Sequence, residues 1–468
     1  MPPLDLMPSS GLNCTYRWLN RYEDLLPVHL SHPQRYPFLL ESAAHGTDHA
    51  RYDFLLAFPQ GSLALWPEDG LRSDAYPIRG QDFLHNLDLW WSAHRSSQPL
   101  PGGPPFCSGW FVYFGYELVA QIEPVLKLSS LKDGLPIAAA YRVPAAIIRD
   151  HQRRRTVIAA ESGTPELLPI MEADLQQAST LEHETGRVLR ETMVEEPEQL
   201  FLSRLATVRR YIREGDVFQV NLSRRWEGLL RPDLSHGALY DRLRHVNPAP
   251  FAGLASFGEA AILCSSPERL ARVRGGMIAT RPIAGTYPRS QDHRADRLLS
   301  QALLKSPKER SEHLMLIDLE RNDLGRVCQV GSVHVPELMV VESYPHVHHI
   351  VSTVCGRLCP DVTPGAVVRA IFPGGTITGC PKVRCMEIIA SLEAAPRGPY
   401  TGTMGYLGCD GNMDLNILIR TLVRAGDQVS LRTGAGIVAD SVPERELRET
   451  RHKAQAALRA LTEDRLWR

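Results

Sequence analysis

The chain has 468 residues, with 52 basic and 53 acidic side chains that give a net charge of −1, and 43% of its residues are hydrophobic. Charge this evenly balanced argues against a nucleic-acid-binding protein, which needs a concentrated basic face. The first ten residues lack the basic and apolar segments of a leader, and no apolar run approaches the roughly 18 residues of a spanning helix. We therefore expect a cytoplasmic globular protein, with neither nucleic acid nor membrane as a partner.

The chain is predicted to contain two domains joined by a polar segment. Length allows more than one core, since a single core stops growing near about 250 to 300 residues. Residues 151–198 are polar and poor in aromatic side chains, which is typical of a linker. Residues 1–150 are then the first domain, and residues 199–462 the second.

Short strands dominate the predicted elements in chain order. Strands split by turn residues are predicted in 52–66 and 109–118, with a helix over 81–95 between them. A second helix, over 200–213, ends at Gly215. Further β-like runs follow at 217–223, 252–257, 261–265, 340–354 and 403–407.

Two capped helices interrupt these strands, and they complete the predicted fold. They begin at Ser306 and Ser441, where serine, proline and glutamate form capping boxes, and the second runs to about Leu461. Strands and helices do not alternate regularly, so the pattern argues against a doubly wound parallel sheet. It predicts an α+β fold, with large antiparallel sheets packed as a sandwich and flanking helices.

Each of these two helices carries a pair of glutamates spaced by three residues, Glu309 with Glu312 and Glu446 with Glu449. Carboxylates at this spacing share one helix face and repel each other. A hard cation such as Mg²⁺ would compensate, because it prefers oxygen ligands. The alternative is two solvated helix faces, and Glu309 has a further role open to it as the capping-box residue.

Two glycine-rich runs suggest backbone N–H groups that approach an anion closely. Residues 373–382 lack the lysine and hydroxyl spacing of a nucleotide-binding loop, so that interpretation is rejected. Residues 433–436 lie just ahead of the second glutamate helix. Glycines beside threonines in both runs leave room for an anionic ligand.

A histidine cluster, His346, His348 and His349, offers one candidate for a site. On a strand His346 and His348 share a face and His349 points to the other, so three ligands to one metal are disfavoured. His346 and His348 are expected to have structural or surface roles. His349 begins an apolar run and is the one expected to face a site.

Cysteine and lysine usage add two expectations. The nine cysteines are dispersed without Cys-x-x-Cys spacing, which predicts reduced, mostly buried thiols. Only six basic residues are lysines: Lys127, Lys132, Lys305, Lys308, Lys382 and Lys453.

A series of motifs in one order resembles the chorismate-utilising enzymes, which include anthranilate synthase, aminodeoxychorismate synthase, and the isochorismate and salicylate synthases. The motifs lie at 39–42, 218–224, 266–269, 281–286, 312–325, 349–352, 375–382, 397–402, 419–421 and 434–449. The resemblance implies the chorismate-binding fold and a Mg²⁺ ion. It implies that Glu312 and Glu449 bind the metal directly, and that Glu309 and Glu446 do so through water.

The resemblance also implies how the remaining site residues act. Arg420, Tyr400 and backbone N–H groups near Gly436 would hold the enolpyruvyl carboxylate of chorismate, and Glu268 would protonate the departing C4 hydroxyl. His349 would lie against the ring as an acid, base or orienting group. The other implied substrate-binding residues are Gly285, Thr286, Thr376, Gly434 and Lys453.

Four features bear on the branch of the family. Isochorismate and salicylate synthases have a lysine in place of Gln219, and glutamine is no general base, so ammonia is the expected nucleophile. Residues 247–251 (Asn-Pro-Ala-Pro-Phe) and 51–58 resemble aminodeoxychorismate synthase. Ala284 departs from that branch, whose lysine at this position can attack the ring. The favoured product is 4-amino-4-deoxychorismate, for 4-aminobenzoate and folate; anthranilate, for tryptophan, is the alternative.

Partners follow from the same resemblance. The chain has no glutaminase motif, which implies a separate glutamine amidotransferase subunit in a heterodimer, and a separate lyase downstream. The region of Ser42 is a candidate tryptophan-binding site. The alternative of another class is a non-catalytic protein that binds an aromatic carboxylate. Neither Lys382 nor Lys453 resembles a covalent catalyst, so we expect amination without a lysine adduct.

Overall fold

The computed structural model describes residues 14–43, 51–96, 102–129, 133–178, 183–344 and 347–463. Its strands are β1 Cys14–Leu19, β2 Phe38–Glu41, β3 Tyr52–Ala57, β4 Ser62–Trp66, β5 Gly70–Ser73, β6 Gly109–Phe114, β7 Ala138–Val143, β8 Ala145–Asp150, β9 Arg155–Glu161, β10 Val194–Glu195, β11 Gln219–Leu229, β12 Phe251–Phe257, β13 Ala260–Ser266, β14 Arg269–Arg274, β15 Met277–Thr280, β16 Ile283–Pro288, β17 His334–Ser343, β18 Val347–Arg357, β19 Gly379–Cys380, β20 Thr403–Gly408, β21 Met413–Asn416, β22 Thr421–Ala425 and β23 Gln428–Ile437.

The α-helices are α1 Leu26–Ser31, α2 Phe83–His94, α3 Val119–Ile122, α4 Leu167–Gln177, α5 Glu198–Glu214, α6 His236–Val246, α7 His293–Lys305, α8 Pro307–Gly325, α9 Pro364–Ile371, α10 Lys382–Leu392 and α11 Pro443–Thr462. Two 3₁₀ turns, Tyr116–Leu118 and Gly375–Ile377, complete the described elements. Among the described residues, no helix has the length and apolar character needed to cross a lipid bilayer.

The strands form two antiparallel sheets. The first runs in the order β1-β9-β8-β3-β2-β12-β13-β22-β23-β11-β10, with β19 also paired to β11. The second runs β16-β18-β15-β14-β21-β20-β6-β7-β4-β5, with β17 also paired to β18. The predicted α+β fold with two large antiparallel sheets is confirmed.

The core lies in layers, because side chains alternate across each strand. In β3, Phe54 and Leu56 face the space between the sheets, while Leu55 packs with the helices on the outer side. Across that space Phe38 of the first sheet stacks on Phe111 of the second, with ring centroids 3.9 Å apart. The molecule is therefore a sandwich of two sheets with helices outside both.

Both sheets combine strands from residues 1–150 and 199–462. In the first sheet β2 pairs with β12, and in the second β6 pairs with β20. The segment 151–198, predicted as a linker, contains β9 and α4. The division into two domains stays a prediction.

The predicted helix boundaries were largely right, with one cap wrong. Ser306 caps α8 by accepting a hydrogen bond from the N–H of Glu309 at 3.4 Å. Ser441 does not cap α11, whose N-cap is Val442; its hydroxyl accepts a bond from the N–H of Val438 instead. Four helices beyond Gly215 were missed: α6, α7, α9 and α10.

The prediction that all cysteines are reduced was wrong. Cys14, at the start of β1, forms a disulfide with Cys107, just before β6. The two lie 93 residues apart, so no local spacing indicated the pair, and only the packing of the two sheets brings them together. The remaining seven cysteines are free, and Cys264, Cys328, Cys385 and Cys409 among them are buried.

Candidate active site

The four glutamates predicted to bind a metal lie on α8 and α11. Burial raises the pKa of Glu309, Glu312 and Glu446, and the charge of Glu449 adds to the shift in each. Their oxygens are the ligands that Mg²⁺ prefers, so the donor set fits this ion in its chemistry. In the arrangement seen here, no group of three or more acidic, histidine or cysteine side chains in the described ranges is placed to hold a metal ion.

Gln219, the first residue of β11, reaches Glu312. Its Nε2 donates a hydrogen bond to Oε1 of Glu312 at 3.0 Å, while its own Oε1 is buried without a partner in the described structure. The same amide explains Gly436 on β23, because a Cβ there would lie 2.4 Å from Nε2. Glycine at 436 therefore lets the amide pass over the strand to the acidic group.

Lys453 joins the glutamates to Gly434, at the same end of β23 as Gly436. Its ammonium lies 2.7 Å from Oε1 of Glu449 and donates to the carbonyl of Gly434 at 2.9 Å. A Cβ on Gly434 would lie 2.6 Å from the hydroxyl of Tyr400. Tyr400, Lys453 and Gly434, all predicted to bind substrate, thus lie close together.

Arg420 provides a cation without an internal partner. Its backbone φ is 54°, a left-handed conformation that is uncommon for a side chain of this size. Within the described residues the guanidinium makes no hydrogen bond or ion pair. Burial lowers its pKa, and the charges of Tyr400 and Glu449 oppose the shift. A partly buried, unpaired guanidinium is suited to bind an anionic group bidentately.

Glu268 is a buried carboxyl at the end of the turn between β13 and β14. Burial raises its pKa to about 8, and the nearby charge of Glu320 adds to this shift. The Thr376 hydroxyl and the charge of Lys453 lower it in part. The group therefore stays protonated near neutral pH, as a proton donor must.

His349 on β18 lies opposite Thr286, next to a bulge in strand β16 between Ala284 and Thr286. Its Nδ1 is 2.9 Å from the hydroxyl of Thr286 and 3.4 Å from the carbonyl of Gly285. Burial lowers the pKa of His349 to about 4, so the imidazole is neutral. Arg420 and Lys453 contribute to that lowering, which associates His349 with the same group of charges.

The neighbouring histidine has a different environment. His348 is buried, and its Nε2 lies 3.0 Å from Asp296. These contacts fit the structural role that was expected. His346 lies outside the described residues.

Neither Ala284 nor the two candidate lysines, Lys382 and Lys453, offers a free amine to the site. Ala284 lies on β16 opposite Ile350 and is 6% exposed. Lys382 is held by Asp323 at 2.5 Å and by the carbonyl of Ile371. Lys453 is held by Glu449 and Gly434, so neither lysine has a free amine.

Ser42 lies away from this group, at a separate cavity of about 200 Å³. Its hydroxyl donates to the carbonyls of Tyr52 and Pro250, and its N–H donates to Asp53. Tyr52 and Phe251 also line the cavity. The segment 247–251 thus meets Ser42 here, and not at the glutamates.

Sequence reasoning missed two polar residues at the site. Asn221 on β11 directs its Oδ1 to within 2.4 Å of where a Cβ on Gly434 would lie, and this oxygen has no partner in the described residues. Glu117 holds the loop that carries Tyr400. Asn221 lay inside the motif at 218–224, whereas Glu117 lay outside every motif.

The sequence is similar to one family of known proteins over most of its length. The sequence matches the profile of the chorismate binding enzyme family over residues 38–459. It is 41% identical to anthranilate synthase component 1 of Thermus thermophilus over 435 residues, 91% of this chain and 92% of that protein. It is 38% identical to aminodeoxychorismate synthase component 1 of Klebsiella aerogenes over 431 residues, 92% and 94% of the two chains.

The fold has a close counterpart among solved structures. Anthranilate synthase component I from Streptococcus pneumoniae superposes with a TM-score of 0.79 and 30% identity, covering 88% of this chain and 93% of that one. Proteins named for either amination reaction are therefore similar to this chain over most of its length.

Proposed function

The chain belongs to the chorismate-binding enzyme family, and we propose that it catalyses the amination of chorismate with ammonia to 4-amino-4-deoxychorismate. The observation that carries the amination is Gln219. Its amide is held by Glu312 and cannot accept a proton from water at neutral pH, so a weak nucleophile that needs a base is disfavoured. Ammonia needs no such base, because the free amine is already nucleophilic.

The residues at the site divide the task between binding and proton transfer. Arg420, the Tyr400 hydroxyl and the backbone near Gly436 bind the enolpyruvyl carboxylate. Glu268 donates its proton to the C4 hydroxyl as that group leaves, for which its raised pKa is suited. The neutral imidazole of His349 lies against the ring and orients it.

Mg²⁺ is the cofactor that we propose. Glu312 and Glu449 would hold it directly, and Glu309 and Glu446 through water. When bound, it would neutralise the ring carboxylate of chorismate. The repulsion among the four carboxylates supports a cation at this position.

Amination at C4 is proposed on the segment 247–251 (Asn-Pro-Ala-Pro-Phe), in which the sequence resembles the aminodeoxychorismate branch. A second candidate is amination at C2 with loss of pyruvate, which gives anthranilate. One observation favours it: Ala284 stands where a lysine is expected in the first branch, and the two candidate lysines, Lys382 and Lys453, are held in ion pairs.

Three further elements belong to the proposal. A separate glutamine amidotransferase subunit would supply ammonia in a heterodimer, and a separate lyase would convert the product to 4-aminobenzoate for folate. The cavity at Ser42 would bind tryptophan. The expected compartment is the cytoplasm.

The test is to incubate the purified chain with chorismate, Mg²⁺ and an ammonium salt at mildly alkaline pH, and to separate the products. We expect chorismate to be consumed, and 4-aminobenzoate to form only when a lyase is added. No consumption with or without Mg²⁺ would leave a non-catalytic carboxylate-binding protein as the better description. Fluorescent anthranilate without lyase would establish the C2 reaction instead.

A further inference from the structure

Glu117 lies far from every site motif in the sequence, yet its carboxylate reaches the loop that carries Tyr400. It stands in the 3₁₀ turn Tyr116–Leu118 that follows β6. Its Oε1 accepts a hydrogen bond from the N–H of Arg397 at 2.8 Å, and its Oε2 accepts one from the N–H of Gly398 at 3.0 Å. The N–H of Tyr116 donates to the carbonyl of Gly398 at 2.8 Å. Three hydrogen bonds therefore join this turn to two consecutive residues.

The loop beyond these residues is built tightly enough to transmit their position. The N–H of Tyr400 donates to the carbonyl of Arg397 at 3.2 Å, and the N–H of Gly402 donates to that of Pro399 at 2.9 Å. Thr401 has a φ of 64°. Fixing residues 397 and 398 thus fixes the Tyr400 backbone two residues later, and with it the phenol beside Gly434.

Burying a carboxylate without a cationic partner costs free energy of folding. Glu117 is 7% exposed, and none of the described basic side chains forms a salt bridge with it. Burial raises its pKa to about 7, opposed by the two backbone donors. A carboxylate offers acceptors only, so each oxygen can take one N–H, whereas an amide would set its own N–H₂ against one of the donors.

We propose that Glu117 is a positioning residue for substrate binding: by holding the N–H groups of Arg397 and Gly398, it sets the place of the Tyr400 hydroxyl in the site. The inference rests on the proposed function, since Tyr400 is assigned there to the substrate carboxylate. It adds a residue from the N-terminal region to a site whose other members come after residue 200.

The matched control is Asp88 on α2, which has the same kind of contact elsewhere. Its Oδ1 accepts a bond from the N–H of Gly365 at 2.7 Å, and its Oδ2 accepts one from the Thr363 hydroxyl at 2.7 Å. Like Glu117, it joins the N-terminal region to the C-terminal one. Asp88→Asn therefore measures the loss of stability when a carboxylate that accepts two hydrogen bonds is replaced by an amide away from the site.

The test compares Glu117→Gln, Asp88→Asn, Tyr400→Phe and the double variant Glu117→Gln/Tyr400→Phe. We expect Glu117→Gln to raise the KM for chorismate about 10-fold with kcat changed less than about 3-fold, because one buried donor loses its acceptor. Asp88→Asn should lower the Tm by about as much as Glu117→Gln does, but leave the KM for chorismate unchanged. In the double variant, Glu117→Gln should add little to the KM of Tyr400→Phe, since both act through one hydroxyl.

Three outcomes would overturn the inference. An unchanged KM in Glu117→Gln, with the Tm lowered as in Asp88→Asn, would leave Glu117 with a structural role only. Fully additive effects on KM would exclude a route through Tyr400. A wild-type chain that consumes no chorismate would overturn the proposed function and this inference together, which separates that failure from the first two.

Discussion

Gln219 and Glu312 are joined by a hydrogen bond of 3.0 Å in which the amide is the donor. The bond commits the nitrogen of the amide to the acidic group and leaves its oxygen buried without a partner in the described structure. This oxygen can still accept a hydrogen bond, and ammonia, with three N–H bonds, can donate one. Gln219 thus combines a bond to one of the predicted metal ligands with a free acceptor that could bind the proposed nucleophile.

Replacing Glu449 by glutamine should abolish chorismate turnover with little effect on the fold. Its side chain is 47% exposed and its ion pair with Lys453 lies in the solvent-exposed range, so we expect a change in Tm below about 2 °C. The loss of activity follows from removing a carboxylate from the proposed Mg²⁺ site. Glu444→Gln, on an exposed turn of the same helix, is the control and should retain wild-type rates. Full activity in Glu449→Gln would exclude the metal assignment.

Glu268 should give the activity an alkaline limit. Because burial raises its pKa to about 8, kcat/KM at a fixed concentration of free ammonia should fall as the pH rises through that value. Glu268→Gln cannot donate a proton and should lose nearly all activity at every pH. A profile that stays flat to pH 9 would argue against a proton-donating role.

The same carboxyl should make stability depend on pH in a known direction. Its pKa is 4.5 when exposed and about 8 in the fold, so the protonated form is favoured by folding and the stability it confers is lost as the pH rises from about 4.5 to about 8. Glu268→Gln removes this titration. The Tm difference, variant minus wild type, should therefore grow across this window, as measured by thermal denaturation in matched buffers.

Arg420 should lower the stability of the ligand-free fold and be required for chorismate binding. Its guanidinium is partly buried without a partner among the described residues, so Arg420→Met should raise the Tm of the ligand-free chain and eliminate chorismate binding. Arg420→Lys keeps the charge but loses the planar fork, and we expect KM to rise about 10-fold. Thermal denaturation measures the Tm, calorimetric titration with chorismate measures the affinity of Arg420→Met, and steady-state kinetics measure the KM of Arg420→Lys. Undiminished affinity in Arg420→Met would remove this residue from the carboxylate site.

Amination should proceed without a lysine adduct. After incubation with chorismate and Mg²⁺ but no ammonia, intact-mass spectrometry of the wild-type chain should show no added mass, because Lys382 and Lys453 are held in ion pairs. Ala284→Lys should restore the amine of the aminodeoxychorismate branch and give an adduct, whereas Ala284→Met, of similar length, should not. An adduct on any of the six lysines of the wild-type chain would contradict the prediction.

The fold class could be predicted because strand alternation and turn residues are local signals. Capping serines and prolines likewise placed the starts of α8 and α11 within a residue or two. The helix α9 was missed because it is short and, apart from Arg369, apolar, with β-branched residues at 367, 368 and 371 that are also typical of a buried strand. The helix α6 was missed although its signals are in the sequence: Ser235 caps it, and Leu239, Leu243 and Val246 follow at helical spacing.

For the candidate site, the residue types were predictable and their contacts were not. The glutamates at i, i+3 on one helix follow from helical geometry, as does the Glu449 to Lys453 pair at i, i+4. The approach of Gln219 to Glu312 joins residues 93 positions apart. It depends on how α8, which packs against β16 and β18 of the second sheet, lies relative to the start of β11 in the first. Glu117 is further still, 280 residues from Arg397, and only the pairing of β6 with β20 brings its turn to that loop.

The pairing of β2 with β12 and of β6 with β20 has a practical consequence for anyone who shortens this chain. A fragment that begins at residue 199 would present β12 and β20 each with one side unpaired. Rows of open N–H and C=O groups in the middle of what had been wide sheets recruit strands from other copies. Such a fragment should precipitate or assemble with itself, and supplying residues 14–178 as a separate polypeptide should rescue it by strand complementation.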